Sequence, residues 1–158
     1  NTQNTVIENN YIGLNKDGNS AVPNYIGINI VGSLSTNLRI GTDTLNGNVI
    51  SGNLKFGIRC NQGQNSALTS PDVAIRGNLI GTDVLGMSSI SNVENGVYCD
   101  GNISLVIGGD QLGKNVISGN GSTGTNHGGV YLGATGRSLV AANYIGTTKN
   151  SFNIISNR

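Results

Sequence analysis

One six-residue word governs this chain. Asn48-Val49-Ile50-Ser51-Gly52-Asn53 returns unchanged as Asn115-Val116-Ile117-Ser118-Gly119-Asn120. Looser copies, reduced to Asn-x-Ile-Gly, stand at Asn10-Tyr11-Ile12-Gly13, Asn78-Leu79-Ile80-Gly81 and Asn143-Tyr144-Ile145-Gly146. A word that recurs at intervals of roughly 30 to 40 residues marks a repeat architecture.

Two further words separate successive Asn words, always in the same order. The second is Gly27-Ile28-Asn29-Ile30, Gly57-Ile58-Arg59-Cys60, Gly96-Val97-Tyr98-Cys99 and Gly129-Val130-Tyr131-Leu132. The third is Leu38-Arg39-Ile40-Gly41, Val73-Ala74-Ile75, Leu105-Val106-Ile107-Gly108 and Leu139-Val140-Ala141. Short apolar triplets between Gly, Asn, Ser and Thr read as short strands and tight turns, and no helical period is sustained. Three strands per cycle are what one turn of a three-sided parallel β-helix needs. The expected fold is therefore all-β: a right-handed solenoid, by the crossover preference, of about four to five coils. These start near residues 10, 48, 78, 115 and 143, with residues 1–158 as one segment. Long and short coils alternate, so the repeating unit is a pair of coils with the extra residues inserted at corners.

Successive side chains of a strand point to opposite faces. Ile12, Ile50, Ile80, Ile117 and Ile145 are expected in one inward column. Ile28, Ile58, Val97 and Val130 form a second, and Ile30, Cys60, Cys99 and Leu132 a third. One coil cannot bury its own apolar face, which is why the words must repeat. Asn10, Asn48, Asn78, Asn115 and Asn143 fall at a bend, where stacked amides can bond along the ladder. Alternation from Val6 points Glu8 inward, so the first strand is either frayed or shifted by one residue.

Composition narrows the function classes. Charged residues are 11%, the net charge is +1 and aromatics are 4%. Without a basic stripe, nucleic acid is not an expected partner. No apolar run approaches the roughly 20 residues of a membrane span. The chain opens without an initiator Met or a signal-peptide pattern, as expected of a mature or excised segment.

The order Gly-Asn-x-Ile-Gly-Thr-Asp, Gly-Val-x-x, x-x-Ile-Gly-Gly, Asn-Val-Ile-Ser-Gly-Asn is carried by Gly77 to Asp83, Gly96 to Cys99, Val106 to Gly109 and Asn115 to Asn120. It resembles the right-handed parallel β-helix repeats of large secreted and cell-surface proteins, mostly bacterial, in the pectate-lyase-like superfamily. The likeness spans nearly the whole chain and implies an extracellular or cell-surface location. It is specific for fold and weak for activity, since one scaffold hosts lyases, hydrolases, epimerases, adhesins and passive stalks.

The chemically active residue types are few. Cys60 and Cys99 share an inward slot, which suits buried free thiols better than a disulfide of awkward geometry or a metal pair short of ligands. Asp43, Asp83 and Asp110 each follow a corner; Asp83 differs in phase from the other two, and turn capping suits them better than a converging catalytic set. His127 has no acid or nucleophile at motif spacing and reads as a solvated loop residue. No catalytic residue, metal site or cofactor is therefore expected. The best candidate ligand-binding surface is the outward column of the second strands: Asn29, Arg59, Tyr98 and Tyr131. There tyrosine rings can stack on a sugar while guanidinium and amide groups take its hydroxyls.

A second outward column, Tyr11, Val49, Leu79, Val116 and Tyr144, is more apolar, and the insertions Leu14 to Tyr25 and Val84 to Val93 could fold over it. Thr residues sit at differing corners, which does not suit an ice-binding ladder. Asn102-Ile103-Ser104 and Asn120-Gly121-Ser122 match the glycosylation sequon, meaningful only in a eukaryotic secretory setting. Two functions are consistent with all this: a structural or adhesive extracellular segment contacting polysaccharide or cell-surface glycan, or a fragment of a carbohydrate-active enzyme. Neither end carries a capping helix, so further coils or end-to-end self-association are expected.

Overall fold

The computed structural model describes residues 4–31, 37–43, 47–61, 73–101, 103–123, 127–133 and 136–158. A short strand β1 (Val6–Ile7) leads into the first circuit, β2 (Tyr11–Ile12), β3 (Ile28–Val31) and β4 (Leu38–Gly41). The second is β5 (Val49–Ile50), β6 (Ile58–Asn61) and β7 (Val73–Arg76), and the third β8 (Leu79–Ile80), β9 (Val97–Cys99) and β10 (Leu105–Gly108). β11 (Val116–Ile117), β12 (Val130–Leu132), β13 (Ser138–Ala141) and β14 (Tyr144–Ile145) complete the order. Like strands of successive circuits pair in parallel, giving two five-stranded sheets and one of four strands. The result is a parallel β-solenoid of about three turns, fewer than the four to five expected. The difference lies at the last circuit. Every inward residue of β8, β9 and β10 is fully buried, whereas Leu132, Val140 and Ile145 are exposed because no later coil covers them.

The expected inward columns are present and in register. Ile12 faces Ile50, Ile50 faces Ile80, Ile80 faces Ile117, and Ile117 faces Ile145. Ile58 lies between Ile28 and Val97, with Cys60 over Cys99 beside it. With Ile40, Ile75 and Ile107 from the third sheet these residues make one dry core. The phase of β1 is the exception to the sequence expectation. Val6 pairs with Arg39 and Ile7 with Ile40, so Ile7 points inward and Glu8 outward, 3.8 Å from Arg39. A two-residue strand is too short for alternation to fix its phase, and an exposed ion pair of this kind adds no more than about 1 kcal/mol.

The amide ladder runs the length of the solenoid. The backbone N–H and Nδ2 of Asn48 both donate to Oδ1 of Asn78, each at 3.0 Å, and Asn78 repeats both bonds to Asn115. From Asn48 to Asn143 each Nδ2 also donates to a carbonyl of the preceding coil, as Asn78 does to Ile40 at 2.9 Å, while Asn10 Nδ2 donates to Glu8 O. In a second ladder at the next corner, Asn24, Asn53, Asn92 and Asn120 each donate Nδ2 to the Oδ1 of the next rung, ending at Asn157. Buried amides cost free energy unless paired, and these are paired on every side. Gly81 shows why the words end in Gly: its φ is +88°, and a Cβ there would lie 2.4 Å from Asn120 Oδ1.

The long corners fold back as expected. Antiparallel bridges Leu14–Ala21, Thr82–Ser89 and Thr147–Ile154 close three insertions, which lie over the outward Val49, Leu79 and Val116 to form a second apolar layer with Leu14. Successive insertions touch: Val84 N–H donates to Gly18 O and Lys149 N–H to Gly86 O, both at 3.0 Å.

Candidate functional site

β3, β6, β9 and β12 pair so that Asn29 lies opposite Arg59, Arg59 opposite Tyr98, and Tyr98 opposite Tyr131. The four residues picked from the sequence therefore form one outward column. The rings of Tyr98 and Tyr131 stack at 4.8 Å with an interplanar angle of 5°. That separation is the spacing of the coils themselves, so the backbone ladder imposes the stack. Phe56, just ahead of β6, reaches the other face of Tyr98 at 4.6 Å. Both faces of Tyr98 are thus covered within the protein. What its strip presents outward is ring edge and hydroxyl rather than an open face for stacking.

Polar groups of both signs flank the rings. Tyr98 Oη donates to Asp100 Oδ2 at 3.3 Å. With the Asn61 amide turned to satisfy both its ends, its oxygen accepts from Arg59 Nη2 at 2.8 Å. Arg59 Nε is buried without a partner among the described residues. Lys55 lies 3.5 Å from Glu94 and over the rings of Tyr25 and Phe56. The Glu94 carboxylate, foremost, raises the Lys55 pKa above the usual ammonium value. Burial, then the charge of Asp100, pushes the Tyr98 phenol up, with Arg59 opposing. Lys55, Phe56, Tyr25 and Asp100 add to the column beyond the four residues expected from the sequence. All four sit outside the repeated words: Asp100 stands two residues past Tyr98 on the same outward face, Lys55 and Phe56 lie just ahead of β6, and Tyr25 lies just ahead of β3.

The acidic residues divide as their phase implies, with one addition. Asp83 Oδ1 accepts from the N–H of Met87 and Ser88, capping its insertion. Asp110 caps the next corner through Leu112 and Gly113 N–H, both at 2.9 Å. Asp43 and Asp110, however, do meet at a shared cation. Arg76, from the coil between them, has Nη2 2.5 Å from Asp110 and Nε 2.7 Å from Asp43, although the Nε–H is not aligned on that oxygen. The Gly113 amide and then Arg76 hold the Asp110 carboxyl below the usual carboxylate range. This is a bridging ion cluster, with its cation already supplied by the chain.

Cys60 and Cys99 are free, fully buried thiols in contact across the coil gap. The Cys99 thiol and burial together push the Cys60 thiol well up. His127 is half-buried at the corner before β12. Among the described residues no three His, Cys, Asp or Glu side chains group as a metal site, and no helix is long and apolar enough to cross a membrane. Asn120, one of the two sequon asparagines, is 1% exposed and bonded within the second ladder. Asn102 lies outside the described residues. A shallow groove of about 560 Å³, lined by Ser88, Ser91, Ser122, Ser156 and Arg158 among others, marks the short corner between two insertions. No family model, curated protein or solved structure matches the chain.

Proposed function

We propose that this chain is a structural or adhesive segment of an extracellular, cell-surface β-helix protein, right-handed and of the pectate-lyase-like kind. We propose further that it contacts polysaccharide or surface glycan along the second sheet. The repeat words support the first part, as does a cross-section devoted to dry core and closed amide ladders. The observation that carries the second is the in-register column of Asn29, Arg59, Tyr98 and Tyr131, with Asp100 beside it. Donors and acceptors of both signs recur along it at the coil spacing of about 4.8 Å, which suits a polyhydroxylated chain lying along the solenoid axis. Because Tyr98 is sandwiched, contact runs through guanidinium, carboxylate, hydroxyls and ring edges, with stacking confined to rings that keep an open face.

A glycan array tests this, with the parent compared with Tyr131→Ser and Arg59→Ala. Binding that both substitutions weaken is the expected result. Binding to no glycan, or binding indifferent to both changes, would remove the proposed contact. A reducing-sugar assay on polyuronides runs alongside, and release of new chain ends would favour the enzyme reading instead.

A further inference from the structure

The outward face of the second sheet sorts its charge by coil. Lys55 and Arg59 belong to one coil, Glu94 and Asp100 to the next. Each cation meets an anion along the solenoid axis. Glu94 N–H donates to Lys55 O at 2.9 Å, and the two side chains form an ion pair of 3.5 Å. Arg59 and Asp100 flank Tyr98: Arg59 is its partner across the coil gap, and Asp100 accepts from its hydroxyl. Asn61, with its amide turned as above, joins the two. Its oxygen accepts from Arg59 Nη2 and its nitrogen donates to Asp100 O. Among the described residues of this face, two cations thus balance two anions, with the aromatic rings set between them.

A polymer lying along the axis crosses the positive coil and then the negative one within about 4.8 Å. That distance is well inside the screening length of about 10 Å at 0.1 M salt. A row of carboxylates or sulfates would therefore lose at Glu94 and Asp100 what it gains at Lys55 and Arg59. Ionised carboxylates are acceptors only, and the ammonium and guanidinium groups are donors only. A sugar hydroxyl donates and accepts, so it can serve both rows in turn and gain charge-assisted hydrogen bonds from each. The ring edges of Tyr98 and Tyr131 lie beside those rows, where they can pack against the C–H surface of a sugar.

We infer that the glycan suited to this face is a neutral polysaccharide, not a polyuronide or a sulfated chain. The inference rests on the glycan contact proposed above and names its class. Immobilised polysaccharides test it, with the protein at neutral pH in low salt and in about 0.5 M salt. The parent should bind a neutral glucan, galactan or mannan with an affinity that salt changes less than about twofold. Polygalacturonate and a sulfated galactan should bind at least about tenfold more weakly. Glu94→Gln combined with Asp100→Asn leaves the face net positive. It should gain polygalacturonate binding by about tenfold at low salt, and high salt should remove the gain. Asp100→Asn alone, at an exposed side chain, should show a smaller gain in the same direction, and Lys55→Gln with Arg59→Gln should show none. A parent that prefers the acidic chains, or carboxylate variants that gain nothing, would overturn the neutral class and leave the glycan contact standing. A parent that binds no polysaccharide of either kind would remove the contact and the class together.

Discussion

Removing one carboxamide from the middle of the first ladder should damage the protein far more than removing one from its end. Asn78 is fully buried. Its Oδ1 accepts from Asn48 N and Nδ2, and its Nδ2 donates to Ile40 O, Arg76 O and Asn115 Oδ1, at 2.9–3.0 Å throughout. Asn78→Ala leaves the Asn48 N–H buried without its acceptor and takes a donor from Ile40 O and Asn115 Oδ1. Asn48 Nδ2 keeps Ile7 O, which moderates the loss. One orphaned buried donor costs about 1–3 kcal/mol, and the under-satisfied acceptors bring the sum to about 3–5 kcal/mol. Asn10→Ala removes an exposed rung whose bonds water can replace, and should cost under about 1 kcal/mol. Asn78→Asp retains the shape and the acceptor but aims a second carboxylate oxygen at three other oxygens, so it should be at least as harmful as Ala. Urea unfolding of the three variants, with hydrogen exchange at the Asn48 amide, reads these differences. An Asn78→Ala variant within about 1 kcal/mol of the parent, or equal to Asn10→Ala, would refute a ladder whose interior rungs are interdependent.

Ile80→Asp buries an unpaired charge in the dry core and should prevent folding or cost more than about 4 kcal/mol, read as a lost unfolding transition. Ala142 holds φ at +56° where the corresponding corner has Gly77 at +67°, so Ala142→Gly should stabilise by up to about 1 kcal/mol, measured as a shift in the urea midpoint. Tyr98 keeps its phenolic proton more tightly folded than unfolded. Stability should therefore be intact below the ordinary tyrosine pKa of about 10 and fall as pH rises through the higher folded value. A phenolate absorbance titration, with Tyr98→Phe as the comparison, checks this, and an unchanged profile in Tyr98→Phe would contradict it. Cys60 and Cys99 should resist alkylation until the chain unfolds; rapid labelling of the native protein would contradict their burial.

The core was legible because two signals coincide. Alternation assigns a face within each strand, and repetition of the word assigns its neighbour, so Ile50, Ile80 and Ile117 could be stacked from the sequence. The covering role of the insertions followed from the leftover apolar column, Val49, Leu79 and Val116. The second ladder was hidden by the insertions themselves. Its asparagine closes the short word at Asn53 and Asn120, but in the long coils it is displaced to Asn24, Asn92 and Asn157, so the spacing appears broken. Arg76 could not be linked to Asp43 and Asp110 by phase alone, because it reaches them from the end of a strand. Alternation and word order make the register of Asn29, Arg59, Tyr98 and Tyr131 legible, whereas the mutual covering of the rings depends on Phe56, outside the repeated words. β1 was misphased for want of length.

The two coil lengths also set how this molecule would yield under tension. Ladder partners are separated by 38, 30, 37 and 28 residues in succession. Pulled by its ends, a stack of coils held by bonds parallel to its axis unspools from an open face, and each rung gives way as its coil leaves. At roughly 3.5 Å per extended residue, one coil pays out about 130 Å and the next about 100 Å. A single-molecule stretching trace should accordingly be a staircase of alternating long and short steps, not one abrupt rupture. Extension would therefore come by increments under load, with the remaining coils still folded.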